Sequence, residues 1–162
     1  MVIDDLANRP HDCDLLLDQN LSEKSEHRYD ALVPAHCRKL LGPRYALLRQ
    51  EFIDARKEQR KRDGSVRRIL VFFGGSDPTG ETIKTLDALH LLKLHEIAVD
   101  VVIGPSNPEK EKIRHTCDAL PHTACHFQTA TMAKLMAAAD LSIGAGGSTS
   151  WERCFLGLPT VT

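Results

Sequence analysis

Two short stretches of this chain have the residue types and spacing to hold a phosphate. The first is Gly74-Gly75-Ser76-Asp77-Pro78-Thr79-Gly80, which follows an apolar run at 69–73. Glycines let a backbone approach an anion closely, Ser76 and Thr79 add hydroxyl donors, and a helix starting after Gly80 would turn its free N–H groups toward the loop. Gly75 and Gly80 are spaced as in a Walker A loop and Thr82 follows, but Glu81 stands where the lysine belongs. A carboxylate there repels β- and γ-phosphates, which excludes an ATPase or GTPase of that kind. Taken alone, the loop also reads as a tight strand-to-helix turn with no ligand.

The second stretch is Gly144-Ala145-Gly146-Gly147-Ser148-Thr149, after the run 141–143 and before a short helix. Consecutive glycines followed by Ser and Thr at a helix start make a second anion cradle. It is not the dinucleotide fingerprint G-x-G-x-x-G, because position 149 is Thr and no acidic residue ends a second strand of a matching unit. Glu152 has two readings: a capping carboxylate three residues after Thr149, or an acceptor for the two hydroxyls of a ribose.

The elements that must position these loops are legible from periodicity. Strands are predicted at 69–73, 98–103, 123–127, 141–143 and 160–162, and helices at 81–94, 108–120, from Met132 to Ala139 and at 149–156. Such alternation implies βαβ units and a parallel, doubly wound sheet. The first 55 residues are less regular, with short strands expected at 2–4, 15–17 and 46–48 and a helical or loop stretch between Ser22 and Arg38. A run rich in Arg and Lys from Arg56 to Arg68 reads as a solvated helix end or linker rather than a nucleic-acid patch, because no aromatics interleave with it. The expected organisation is therefore the end of one α/β domain (1–55), a basic linker (56–68) and the first part of a second α/β domain (69–162). Both ends read as cut inside strands, so the chain is expected to be an excerpt of a longer protein.

Composition narrows the partners. The 162 residues carry 21 Lys+Arg against 22 Asp+Glu, a net charge of -1, with 42% apolar residues. That balance argues against sequence-independent binding to nucleic acid or an anionic membrane. No run approaches a membrane span and no basic-then-apolar leader opens the chain, so a cytoplasmic protein is expected. Five cysteines, none in a C-x-x-C pair, suggest reduced thiols rather than a disulfide framework or zinc ribbon. Neither a cofactor nor a metal is expected, His122 and His126 being a weak metal signal against a surface reading.

Several stretches together resemble a known family: Asp4-Asp5-Leu6-Ala7-Asn8-Arg9, Cys13 to Asn20, Tyr45 to Phe52, Phe73-Gly74-Gly75-Ser76-Asp77 and the run from Gly144 to Glu152. They are similar to the PseG family, the UDP-2,4-diacetamido-2,4,6-trideoxy-β-L-altropyranose hydrolases of pseudaminic acid biosynthesis and flagellin glycosylation. More distantly, the second half resembles the nucleotide-binding domain of MurG-like glycosyltransferases, with their GT-B pair of Rossmann-type domains. The resemblance implies a UDP-sugar substrate and UDP product, with Gly74, Gly75, Ser76, Gly146, Gly147, Ser148 and Thr149 on the diphosphate and Glu152 on the ribose. Phe127, Gln128 and Met132 would lie near the uracil, and Arg49 would reach toward the nucleotide.

A hydrolase of this kind stabilises the departing diphosphate and activates a water on the opposite face, which gives inversion at the anomeric carbon without a metal. The histidine base that the resemblance implies sits in a Gly-x-Gly-His loop, and these residues contain none. The catalytic residue is thus expected outside this chain. Asp5, Asn8, Arg9, His11 and Asn20 are the candidates for the sugar side, with Asp5 also readable as a loop cap. The other histidines, His27, His36, His90, His95 and His115 among them, are scattered on helices and turns. A glycosyltransferase with a UDP-sugar donor, or a nucleotide-sugar-binding module without chemistry, remains the alternative.

Overall fold

The computed structural model describes residues 1–23, 25–93, 96–127 and 129–162. It divides into two compact units, Met1–Leu48 and Arg49–Thr162. The expected boundary at 55/56 gives way to one at 48/49, because helix α1 (Gln50–Lys57) packs into the second unit through Phe52, which is fully buried beside Leu70, Met136 and Leu156.

In the first unit, β1 (Val2–Ile3), β2 (Leu15–Asp18) and β3 (Arg38–Leu41) form a parallel sheet in the order β1-β2-β3 over a core of Cys13, Leu16, Tyr29 and Cys37. The strand expected at 46–48 is absent. Pro43 opens a single 3-10 turn at Pro43–Tyr45, and the Leu47 N–H then bonds Gln19 Oε1 instead of a neighbouring strand. The third strand lies at Arg38–Leu41, where two basic residues hide an extended segment from hydropathy.

The second unit alternates strand and helix: β4 (Arg68–Phe72), α2 (Glu81–Leu91), β5 (Ala98–Ile103), α3 (Lys110–Ala119), β6 (Thr123–Phe127), α4 (Met132–Ala138), β7 (Leu141–Gly144), α5 (Thr149–Phe155) and β8 (Thr160–Val161). Leu94, expected to close α2, lies outside the described residues. All pairings are parallel, in the order β6-β5-β4-β7-β8. This is the doubly wound arrangement that alternation predicted. Side chains alternate across it, so that Ile69, Val71, Val99, Val101 and Ile103 meet α2 and α3 on one face through Leu86, Ile113 and Cys117. Leu70 and Val102 meet α1, α4 and α5 on the other through Phe52, Met132, Met136 and Leu156.

The segment expected to be a solvated basic linker is tied down instead. Arg56 donates to Phe155 O, Gln59 to Leu156 O, and Arg60 to Ala138 O and Asp140. Arg62 reaches Met136 O, Ala139 O, Leu156 O and Gly157 O at 2.9–3.1 Å. These are the carbonyls that the last turns of α4 and α5 leave without helical partners, so the guanidinium groups satisfy orphan acceptors at the negative ends of two helices. Asp140 completes the latch by accepting the N–H groups of Arg67 and Arg68 at the start of β4. Burial works to raise its carboxyl, yet Arg60 and the two N–H groups hold it below the ordinary value. Among the described residues, no helix is long and apolar enough to cross a membrane.

Candidate functional site

Strand order decides where the second unit can bind. From β4 the chain winds outward through β5 to β6, then returns to β7 on the other side of β4, so connections leave in opposite directions at the carboxyl ends of β4 and β7. A crevice opens at such a switch point. The 73–80 loop leaves β4 there and the 145–148 loop leaves β7, with Phe72 paired to Gly144 between them.

Glycine permits this close assembly. A Cβ on Gly104, just past β5, would fall well inside 3.0 Å of Gly75 Cα, Gly75 O and Gly74 O, and one on Gly144 would strike Phe72 O. Neither neighbour is a side chain that could swing away. By contrast, Cβ atoms on Gly75 and Gly146 would meet nothing within 4 Å, and neither has a positive φ. At those two positions the protein leaves open space above the backbone.

The two loops differ in what occupies their N–H groups. In the first, Asp77 is buried with φ 43, and its carboxylate accepts from Glu81 N and Thr82 N at 2.9 Å each. The start of α2, expected to offer free N–H groups, is thus filled by the chain's own anion. Gly75 and Ser76 remain exposed on the outer turn. In the second loop, Gly146, Gly147 and Ser148 are exposed, and among the described residues their N–H groups have no protein acceptor. Gly147, at φ 114, supplies a left-handed turn that other residues rarely adopt.

Glu152 stands beside this second loop. Its side chain is only 12% exposed, Oε1 accepts from Arg49 Nη2 at 3.2 Å, and Oε2 is buried with no partner among the described residues. Burial pushes its carboxyl up, with Arg49 opposing. The capping-box geometry is not adopted: the N-cap of α5 is Ser148 and no side chain bonds the cap. Arg49 itself is half-exposed, stacks 5.0 Å from the Phe52 ring and pairs with Glu51. Arg153, the next residue, is 3% exposed and donates from Nη2 to Ala145 O at 2.6 Å and Ser150 Oγ at 3.2 Å.

Two of the remaining nucleotide-side candidates lie at the end of β6 and the start of α4. Phe127 ends β6 and is 44% exposed, two strands from β4. Met132 lies in the core, its side chain spent on packing. Gln128 lies outside the described residues, as does His95. His126 Nε2 donates to Asp100 Oδ1 at 2.8 Å. Among the described residues no group of three His, Cys, Asp or Glu could hold a metal.

In the first unit the sugar-side candidates lie around the carboxyl ends of β1 and β2. Asp5, Asn8 and Arg9 are exposed, and Asn20 Nδ2 sits 3.5 Å from Asp5 Oδ2. The loop is capped by Asp4 rather than Asp5: Asp4 Oδ2 accepts Ala7 N at 2.9 Å, with Ala7 at φ 49. Beneath it, the fully buried Tyr29 hydroxyl lies between Asp4 Oδ2 at 3.0 Å and Asp18 Oδ2 at 3.1 Å, while Arg28 joins Asp18 to the Asp5 carbonyl. Burial tends to raise the Asp4 carboxyl, but the Ala7 N–H, Tyr29 and His11 together bring it below its ordinary value. The His11 side chain is 8% exposed and its Nε2 stands 3.6 Å from Asp4 Oδ2.

Residues 69–162, the whole alternating region from β4 onward, match the glycosyltransferase family 28 C-terminal domain. The chain belongs to that family. A protein of Methanocaldococcus jannaschii named as uncharacterized, MJ1062, is 34% identical over 125 residues, covering 74% of this chain and 26% of that protein. The spore coat polysaccharide biosynthesis protein SpsG of Bacillus subtilis is 35% identical over 120 residues, 73% of this chain and 35% of that one. A UDP-2,4-diacetamido-2,4,6-trideoxy-β-L-altropyranose hydrolase of Campylobacter jejuni is 30% identical over 128 residues, 79% and 44% respectively. The chain spans between 26% and 44% of the length of these relatives. Within the family 28 domain, sequence reasoning singled out Glu152 and the glycines but missed Asp77 as the internal occupant of the first loop. An acidic residue four positions before a helix start was the available signal. Nothing in the sequence marked Arg153 as buried.

Proposed function

We propose that the family 28 domain of this chain binds UDP, and that the whole protein hydrolyses a UDP-activated 2,4-diacetamido-2,4,6-trideoxy hexose to UDP and free sugar. The observation that carries the nucleotide reading is Glu152. A nearly buried carboxylate with one oxygen held by Arg49 and the other unpartnered is expensive to maintain, and a pair of ribose hydroxyls would satisfy it. The free N–H groups of Gly146, Gly147 and Ser148 would take the diphosphate beside it, joined by Gly74, Gly75, Ser76 and Thr149. UDP needs little further activation as a leaving group, so these preorganised donors stabilise the charge that develops as the anomeric bond breaks. Water attacks from the opposite face and inverts the centre, its proton taken by a base outside this chain. Asp5, Asn8, Arg9 and Asn20 are offered as sugar contacts. His11, turned to Asp4 and almost buried, is better placed to brace that loop than to meet a water.

The similarity to a named hydrolase supports hydrolysis. The family description itself supports the second reading, a glycosyltransferase that passes the sugar from UDP to an acceptor alcohol. Titrating the chain with UDP, ADP and NAD by calorimetry tests the nucleotide site, and a preference for ADP or NAD overturns it. Incubating the full-length protein with the UDP-sugar and no acceptor separates the two reactions: free sugar supports hydrolysis, and strict acceptor dependence overturns it.

A further inference from the structure

Arg153 is a buried cation that makes no salt bridge among the described residues, its neighbour Glu152 acting on it only through space, and it sits directly behind the 145–148 loop. Of the five N–H donors of a guanidinium, the two on Nη2 are used on Ala145 O and Ser150 Oγ. Nε is buried without a partner, and Nη1 would stand 3.0 Å from a Cβ placed on Gly144. An unpaired charge in such a place is costly, and simple packing would be served as well by an apolar side chain.

The bond to Ala145 O has a geometric effect one residue further on. Across a trans peptide the C=O and the following N–H point in opposite directions, and no cis bond occurs among the described residues. Drawing the Ala145 carbonyl inward therefore turns the N–H of the exposed Gly146 the other way, away from Arg153. Resting on the reading of this loop as a diphosphate site, we propose that Arg153 is its positioning residue. It fixes the Ala145–Gly146 peptide so that its N–H meets the phosphate, and it places a buried positive charge beneath the bound anion. The bound anion would then meet a buried cation that no protein carboxylate contacts directly, Glu152 acting on it only through space.

The test compares UDP with uridine, which shares the base and ribose and lacks the phosphates. In R153M, UDP affinity should fall at least tenfold while uridine affinity stays within twofold. R153K, which keeps the charge but loses the two-point tether, should fall between wild type and R153M. Parallel losses for UDP and uridine, or no loss for either, overturn the assignment. Should R153M fail to fold, the wild-type Gly146 amide resonance serves: it should shift on adding UDP and not on adding uridine, and an unmoved resonance overturns the proposal. A wild-type chain that binds no UDP overturns the underlying reading of the site, whereas intact UDP binding with an unchanged UDP-to-uridine ratio in R153M overturns the role of Arg153 alone.

Discussion

Glu152 sets function against stability at a single residue. Burial raises its carboxyl pKa, with Arg49 only partly opposing, so the folded, unliganded chain holds this proton more tightly than the unfolded chain does. The stability this gives is present below the unfolded carboxylate range and is lost as pH rises through the raised value. At neutral pH the ionised side chain is therefore a liability until a ligand donates to it. E152Q should melt at the same temperature as wild type or higher, as measured by calorimetry without ligand, while UDP binding weakens by roughly 1–3 kcal/mol, the cost of a lost charge-assisted hydrogen bond. The difference in UDP affinity between the two proteins should shrink on acidification, starting at a higher pH than an exposed glutamate would produce. A lower melting temperature with unchanged affinity would mean that Glu152 serves the helix instead. The type of this residue and its place after a glycine loop were legible in the sequence. Its partner was not, because Arg49 lies 103 positions away and no local pattern links them.

At the scale of elements, glycine substitutions separate packing from ligand contact. G104A pushes a methyl into the backbone of the 74–75 turn, so it should destabilise the second unit by about 1–3 kcal/mol and disturb UDP binding together. G146A meets only open space and should leave urea unfolding unchanged, yet it should weaken UDP binding if a phosphate comes close to that Cα. Equal UDP affinity in G146A and wild type would remove the phosphate from this loop. The strands β5 and β6 run over the residues predicted, 98–103 and 123–127; β5 is a buried, mostly apolar run ended by turn residues, whereas β6 is a half-exposed edge strand bounded by Pro121 and the turn after Phe127. Arg38–Leu41 escaped because half of that strand is basic, and 46–48 misled because an apolar run without a neighbour to pair with stays unladdered.

For the molecule as a whole, the basic segment holds the second unit together across its sequence. Arg62 by itself reaches the ends of two helices, and R62M would remove four carbonyl contacts, leaving Leu156 O to Gln59. Urea denaturation followed through Trp151, the one tryptophan, should show a loss of about 1–3 kcal/mol with an unchanged slope. A run of seven basic residues between Arg56 and Arg68 looked like a solvated connector because composition cannot show that a guanidinium faces a helix end. The alternation of elements was legible; the use of arginine as helix mortar was not.

The position of β4 also sets a timetable. It is the first strand of its sheet in the chain and lies at the centre, where Ile69 pairs with Val99 on one side and Leu141 on the other. The first pairing closes a loop of roughly 30 residues and the second one of roughly 70, and longer closures are slower to be rewarded by contacts. Because the crevice lies between β4 and β7, it exists only once the later closure is made. In refolding from urea, the capacity to bind UDP should appear with the slowest phase of the second unit and not with the early gain of helix, so a nascent chain becomes competent for its ligand last.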